Sequence, residues 1–142
     1  VWFSKIQSTF LWDISLIGAE RDYLLCDEIL TESKHPLAIN LSGKLSLLET
    51  AVLMKKAKMN FANDSAPVHI ASAMDAPVTD VFCSTLPDFG FGPLSEKSFI
   101  IQTEEKLECR PCGIHGLSSC PENHFHCAFT IPVEKLLQTI KN

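Results

Sequence analysis

This 142-residue sequence lacks long apolar runs, an excess of basic residues and the common nucleotide-loop fingerprints. No uninterrupted apolar stretch reaches about 18 residues, so no membrane-spanning helix is expected. Lys and Arg number 12 against 17 Asp and Glu, a net charge of −5. That balance offers no general basic surface for nucleic acid or anionic lipid. The opening VWFSKIQSTFLWDISLIG has neither a basic leader region nor a small-residue cleavage site, and so does not read as a signal peptide. It also lacks an initiating Met, which points to a fragment or a processed product. There is no GxGxxG and no GxxxxGK(S/T), which counts against typical dinucleotide and P-loop sites. A GxSxG nucleophile elbow is missing as well, and nothing places Ser and His in a triad.

What is present suits a folded α/β domain. Apolar residues make up 46% of the chain and charged residues 20%, enough core and too little charge for disorder. Short apolar runs alternate with helical stretches, the pattern of a parallel sheet flanked by helices. Leu11–Ile17 reads as a strand, followed by a helix from Glu20 to Glu32 that stops before Pro36. Leu37–Leu41 is a second strand. Ser46 and Glu49 form a capping box opening a helix to Lys58. A third strand, Met59–Ala62, turns through Asn63-Asp64-Ser65-Ala66-Pro67 into a helix ending at Met74; proline suits such a first turn. Val78–Phe82 and Ser98–Gln102 complete the strands, and Pro132 opens a terminal helix docked by Leu136, Leu137 and Ile140. No repeat or linker interrupts residues 1–142, which read as a single domain with a Cys-rich loop at 108–128.

Ligands of open parallel sheets bind beyond the carboxyl ends of the strands, where loops lead into helix N-termini. The loop carrying Asp64, Ser65 and Ala66 is the most informative of these. Free amides at Ser65 and Ala66, backed by the helix dipole, make an anion site that small side chains leave open. His69, one turn on, can reach the same phosphate or a sugar hydroxyl. Simpler alternatives are that Asp64 or Ser65 only caps the helix, and that His69 is a buried, hydrogen-bonded histidine. Asp22 reads most simply as a solvated acid of a first helical turn.

Four of the six cysteines fall in one loop, as Cys109-x2-Cys112-x7-Cys120-x6-Cys127, with His115, His124 and His126 between them. Such thiols are of a kind to wrap a tetrahedral structural zinc; otherwise they pack the loop or form an occasional disulfide. The CxxC follows the last strand and lacks a thioredoxin-like context. A chain with its own core does not need disulfide staples, so the thiols are read as mostly reduced and the compartment as cytoplasmic.

NDSAPVHIASAMDAPVTDVF resembles the donor-binding signature of family 9 glycosyltransferases, the lipopolysaccharide heptosyltransferase family. LIGAERDYLLCDEIL and LSGKLSLLETAVLMKKAKM are similar to the segments upstream of it. FCSTLPDFGFGPL and CRPCGIHGLSSCPENHFHCAFTIPVEKLL resemble the following loop and Cys-rich tail of Bacteroidetes-type members. The resemblance implies a GT-B architecture, with this chain as its C-terminal, Rossmann-like, nucleotide-sugar-binding half. It implies that Asp22 contacts the nucleoside ribose and that Leu45 lies against the base. Asp64 would meet the donor sugar, Ser65 and Ala66 would present amides to the diphosphate, and His69 would sit beside them.

The implied reaction transfers a sugar, often heptose from ADP-heptose, to lipopolysaccharide core at the cytoplasmic face of the inner membrane. It proceeds with inversion and needs no cofactor or metal at the catalytic centre. The catalytic base would belong to the N-terminal domain, so the isolated chain is expected to bind nucleotide without turning over. Two departures from the family pattern stand out. Ala66 replaces a commoner glycine, and Cys83-Ser84-Thr85 replaces Gly-Pro-Thr, which bears on which sugar is recognised. The alternative from a different class is a non-catalytic interaction module organised by zinc at the cysteine cluster.

Overall fold

The computed structural model describes residues 12–141. Contacts cluster into two compact units, Val1–Thr50 and Ala51–Asn142, where the sequence reads as one domain. Each is described by itself.

In the first unit, β1 (Ile14–Leu16) and β2 (Ala38–Asn40) pair in parallel, with Ser15 opposite Ile39. A 3₁₀ turn at Glu20–Asp22 leads into α1 (Tyr23–Ser33), so the expected single helix begins as a tighter turn. α1 ends where Lys34 enters the left-handed region, its amide returning to the Leu30 carbonyl at 3.1 Å. The Asn40 side-chain amide donates to the Tyr23 carbonyl at 3.0 Å and fastens the start of α1 to β2. Leu11, counted in the first expected strand, lies outside the described residues.

Helix α2 (Leu47–Lys56) crosses the boundary between the units. Its capping box forms as read: the Ser46 amide donates to Glu49 Oε2 at 2.8 Å, and the Glu49 amide to Ser46 Oγ at 3.3 Å. These bonds satisfy first-turn amides that the helix itself leaves unpaired, and they hold the Glu49 carboxyl below its usual range.

The second unit is built on β3 (Asn60–Asn63), β4 (Val78–Phe82) and β5 (Ser98–Gln102), a parallel sheet in that order. Its register sets Ala62 opposite Asp80 and Asp80 opposite Ile100. Between β3 and β4 runs α3 (Ala66–Met74); after the long loop come α4 (His126–Phe129) and α5 (Val133–Lys141). Every residue of β4 is buried, as a central parallel strand covered on both faces requires. The core gathers Val68 and Ala71 of α3, Val78 and Phe82 of β4, and Leu136 and Ile140 of α5. The Thr79 and Thr139 hydroxyls, 2.8 Å apart, join β4 to α5 inside it. The short α4 is a turn of helix within the stretch expected to be loop.

Candidate functional site

The carboxyl end of β3 holds the residues that carry the sequence argument. Ser65 occupies the N-cap position of α3 with extended backbone, but no side chain caps the helix. Its hydroxyl turns back to the Asn63 carbonyl at 3.0 Å. Asp64 does not cap either: its Oδ2 accepts the Thr85 hydroxyl at 2.6 Å, and its amide reaches the Val81 carbonyl at 3.4 Å. Both capping alternatives therefore fail, because each oxygen is drawn to another partner. Pro67 in the first turn has no amide to satisfy, so the exposed Ser65–Ala66 corner concentrates the partial positive charge of the helix end. His69 is exposed, which removes the buried-histidine alternative.

Three residues that the sequence reading did not select complete this site. Thr85 fixes the Asp64 carboxylate. Arg110, one of only two arginines, donates from Nη2 to the Thr85 carbonyl at 2.8 Å and to Gln102 Oε1 at 2.7 Å. The line Gln102–Arg110–Thr85–Asp64 thus runs from the end of β5 to the end of β3. Asp80 is the third, fully buried with neither carboxylate oxygen hydrogen-bonded among the described residues. Burial, and then the charge of Asp64, push its carboxyl up to about 7. Register puts Ala62 and Asp80 side by side on one face of the sheet, and Asp64 follows directly after β3. An acid in the middle of the apolar run VTDVF was the available signal for it.

In the first unit, the loops after β1 and β2 meet. The Gly43 amide donates to the Gly18 carbonyl at 3.0 Å. Gly43 has φ +72°, and a Cβ there would lie 2.8 Å from the Glu20 Cα, so only glycine fits. Asp22 Oδ2 accepts the Ala19 amide at 2.9 Å, which makes Asp22 a local cap of its own turn. Leu45 is half-buried in the adjoining loop. The structure thus groups Asp22 with the Leu45 loop in one unit, and Asp64, Ser65, Ala66 and His69 in the other.

The expected zinc ligands form no ready-made site among the described residues. All six cysteines are free, and among the described residues no group of three or more His, Cys, Asp or Glu side chains is placed to hold a metal ion. Cys109, Cys112 and Cys120 all lie near enough to Cys127 for their charges to act on its thiol. Cys109 faces His124 Nε2 at 3.9 Å and lines one cavity, whereas Cys112, Cys120 and Cys127 line another. Burial raises the Cys127 thiol, and Cys83 nearby is pushed up to about 11. Cys120 goes the other way, since the Phe125 amide donates to its sulfur at 3.4 Å. No helix among the described residues is long and apolar enough to cross a membrane.

Comparisons with known proteins agree with this architecture. The chain is 33% identical over 95 residues to lipooligosaccharide heptosyltransferase 2 of Haemophilus influenzae, covering 65% of this chain and 27% of that protein. It is 30% identical over 94 residues to lipopolysaccharide heptosyltransferase 2 of Salmonella typhimurium, covering 64% and 27%. The chain therefore spans about a quarter of the length of these curated relatives. Two solved structures share the fold. A family 9 glycosyl transferase from Veillonella parvula superposes with a TM-score of 0.78 at 18% identity, covering 99% of this chain and 39% of that one. The E. coli ADP-heptose lps heptosyltransferase II gives 0.69 at 22% identity with the same coverage. The family model for glycosyltransferase family 9 (heptosyltransferase) matches residues 4–115, which takes in the whole of β1 to β5 and the Asp64–His69 segment, and the chain belongs to that family.

Proposed function

We propose that this chain is the donor-binding part of an inverting GT-B glycosyltransferase that takes a nucleotide sugar of the ADP-heptose type and glycosylates lipopolysaccharide core. The observation that carries the reading is the uncapped start of α3, with Asp64 held beside it by Thr85. Departure of a nucleoside diphosphate develops negative charge on its β-phosphate. Fixed amides and a helix dipole stabilise that charge without reorganising at the moment of reaction. In this reading Ser65 and Ala66 supply the amides, His69 stands next to the diphosphate, and Asp64 receives hydroxyls of the sugar. Asp22 takes the ribose through the carboxylate edge left by its cap bond, and Leu45 lies against the base. The names of the heptosyltransferase relatives support the substrate class.

The acceptor hydroxyl must lose its proton as it attacks, so a base has to stand near it. That base belongs to the remainder of the protein, and this chain by itself binds donor but does not turn over. The reaction needs no metal at the catalytic centre, and its place is the cytoplasmic side of the inner membrane. Calorimetric titration with ADP, UDP and GDP tests the reading. One nucleotide is expected to bind saturably to the chain, and Asp64→Ala to weaken its nucleotide sugar by at least tenfold. A folded chain that binds none of the three would overturn it.

A further inference from the structure

The Cys-rich loop gathers four thiols at one place. Cys112, Cys120 and Cys127 line a single cavity, and Cys109 lies close enough to act with them on the Cys127 thiol. None of the four is tied up in a disulfide. The first pair lies in Cys109-Arg110-Pro111-Cys112-Gly113, which turns tightly: Cys112 Sγ stands 3.4 Å from the Cys109 carbonyl, and Gly113 takes φ +80°. Spacing gives the second pair no such turn, but the fold supplies one after Cys120. There Asn123 and Phe125 are left-handed, at φ +55° and +49°, and the Phe125 amide donates to Cys120 Sγ at 3.4 Å. A bulky aromatic is rarely found in that region, and strain of this kind concentrates at binding sites. An amide aimed at sulfur favours the thiolate, the form in which cysteine binds a metal. Cys127 approaches from the short helix α4.

Arg110 supplies an independent sign. Its Nη2 is taken up by Thr85 and Gln102, yet its Nε is buried with no partner among the described residues. The groups whose charge acts on this guanidinium are the Cys127 and Cys83 thiols, and no carboxylate is among them. A buried cation without a counter-charge is costly. Ordinary thiols are unionised at neutral pH and offer none, whereas a metal-bound cysteine has lost its proton outright.

We propose that Cys109, Cys112, Cys120 and Cys127 bind one structural zinc ion as a tetrahedral centre, with the Arg110 guanidinium as its counter-charge. Four thiols release four protons to one Zn²⁺, and the centre keeps a net charge of −2 that Arg110 offsets in part. Among the described residues no three such side chains are already set for a metal ion. Binding therefore draws the sulfurs to about 3.8 Å from one another, as a Zn–S distance of about 2.3 Å requires. The ion takes no part in sugar transfer. It fastens the loop whose Cys112 amide donates to the Ser84 carbonyl at 2.8 Å and whose Arg110 holds the Thr85 carbonyl. Thr85 in turn holds Asp64.

The chain, purified under reducing conditions and equilibrated with zinc sulfate, is desalted, and its metals are counted by inductively coupled plasma mass spectrometry. About one zinc per chain is expected, with X-ray absorption showing four sulfur neighbours at about 2.3 Å. Competition with a chromophoric chelator gives the affinity. Cys120→Ser and Cys127→Ser should each cost more than the roughly hundredfold that loss of an outer-shell partner costs, and Arg110→Met about tenfold. Cys83→Ser should keep the native affinity. A chain with its native circular dichroism that retains no zinc overturns the proposal. So does a first shell with nitrogen in place of one sulfur, which would make His124 the ligand instead of Cys109 beside it. Equal loss of zinc in Cys83→Ser overturns it as well. The native chain alone settles the shell, so a variant that fails to fold leaves the test decisive. None of these measurements involves nucleotide, and the donor site stands or falls separately.

Discussion

Asp80→Asn is expected to stabilise the protein, and increasingly so as pH rises. The native carboxyl is fully buried, lacks hydrogen-bond partners among the described residues, and titrates near 7 in place of its ordinary 3.8. Its folded-state value is raised, so the folded chain holds the proton more tightly than the unfolded chain. The contribution to stability is greatest below pH 3.8, falls as pH rises from there to about 7, and is flat above. Each pH unit in that window is worth about 1.4 kcal/mol, so the full window spans roughly 4 kcal/mol. Asparagine has the shape of the neutral acid and no charge to bury, so it escapes this loss. Between pH 5 and pH 8 the stability difference between variant and native chain should grow by roughly 2–3 kcal/mol in favour of the variant. Urea denaturation followed by circular dichroism at a series of pH values measures it, with the slope m unchanged. Taking the difference between the two chains cancels the other carboxylates. A difference that stays constant with pH would show that Asp80 is not a buried neutral acid and would refute the argument.

Three further substitutions test separate links. Gly43→Ala forces a side chain into φ +72° and against the Glu20 backbone, and should cost about 1–3 kcal/mol, read as a lower denaturation midpoint. Leu136→Ala opens a cavity where α5 meets the core and should cost about 2–5 kcal/mol. Thr85→Val removes the hydroxyl that orients Asp64, and should weaken nucleotide-sugar binding by about tenfold while Thr85→Ser restores it, as calorimetry would show. An unchanged affinity in Thr85→Val would mean that Asp64 needs no such support.

Much of this protein was legible in one dimension, because local signals are local physics. The apolar runs at Val78–Phe82 and Ser98–Gln102, the Ser46–Glu49 box, Pro67 and the helix opened by Pro132 each state their structure within a few residues. The same holds for the Asp64–His69 segment, whose order of acid, small residues and histidine survives as one turn of chain. Contacts between distant segments were not legible. That Asp64 is held by Thr85 and not by its own helix depends on a bond across 21 positions. That Arg110 braces Thr85 depends on one across 25.

The cysteines show the same division. Their spacing alone says only that they can approach one another; in the folded loop Cys109 lies beside His124, and Cys112, Cys120 and Cys127 line a common cavity. Spacing limits how far apart two side chains can be, but only the path of the backbone sets where they point. Sequence by itself determined the five strands, the longer helices, the parallel α/β class and the family. Tertiary structure decided which carboxylate is buried, which is held at the donor loop and which thiols share a wall, because each follows from desolvation and hydrogen bonds between segments that meet only in the folded chain.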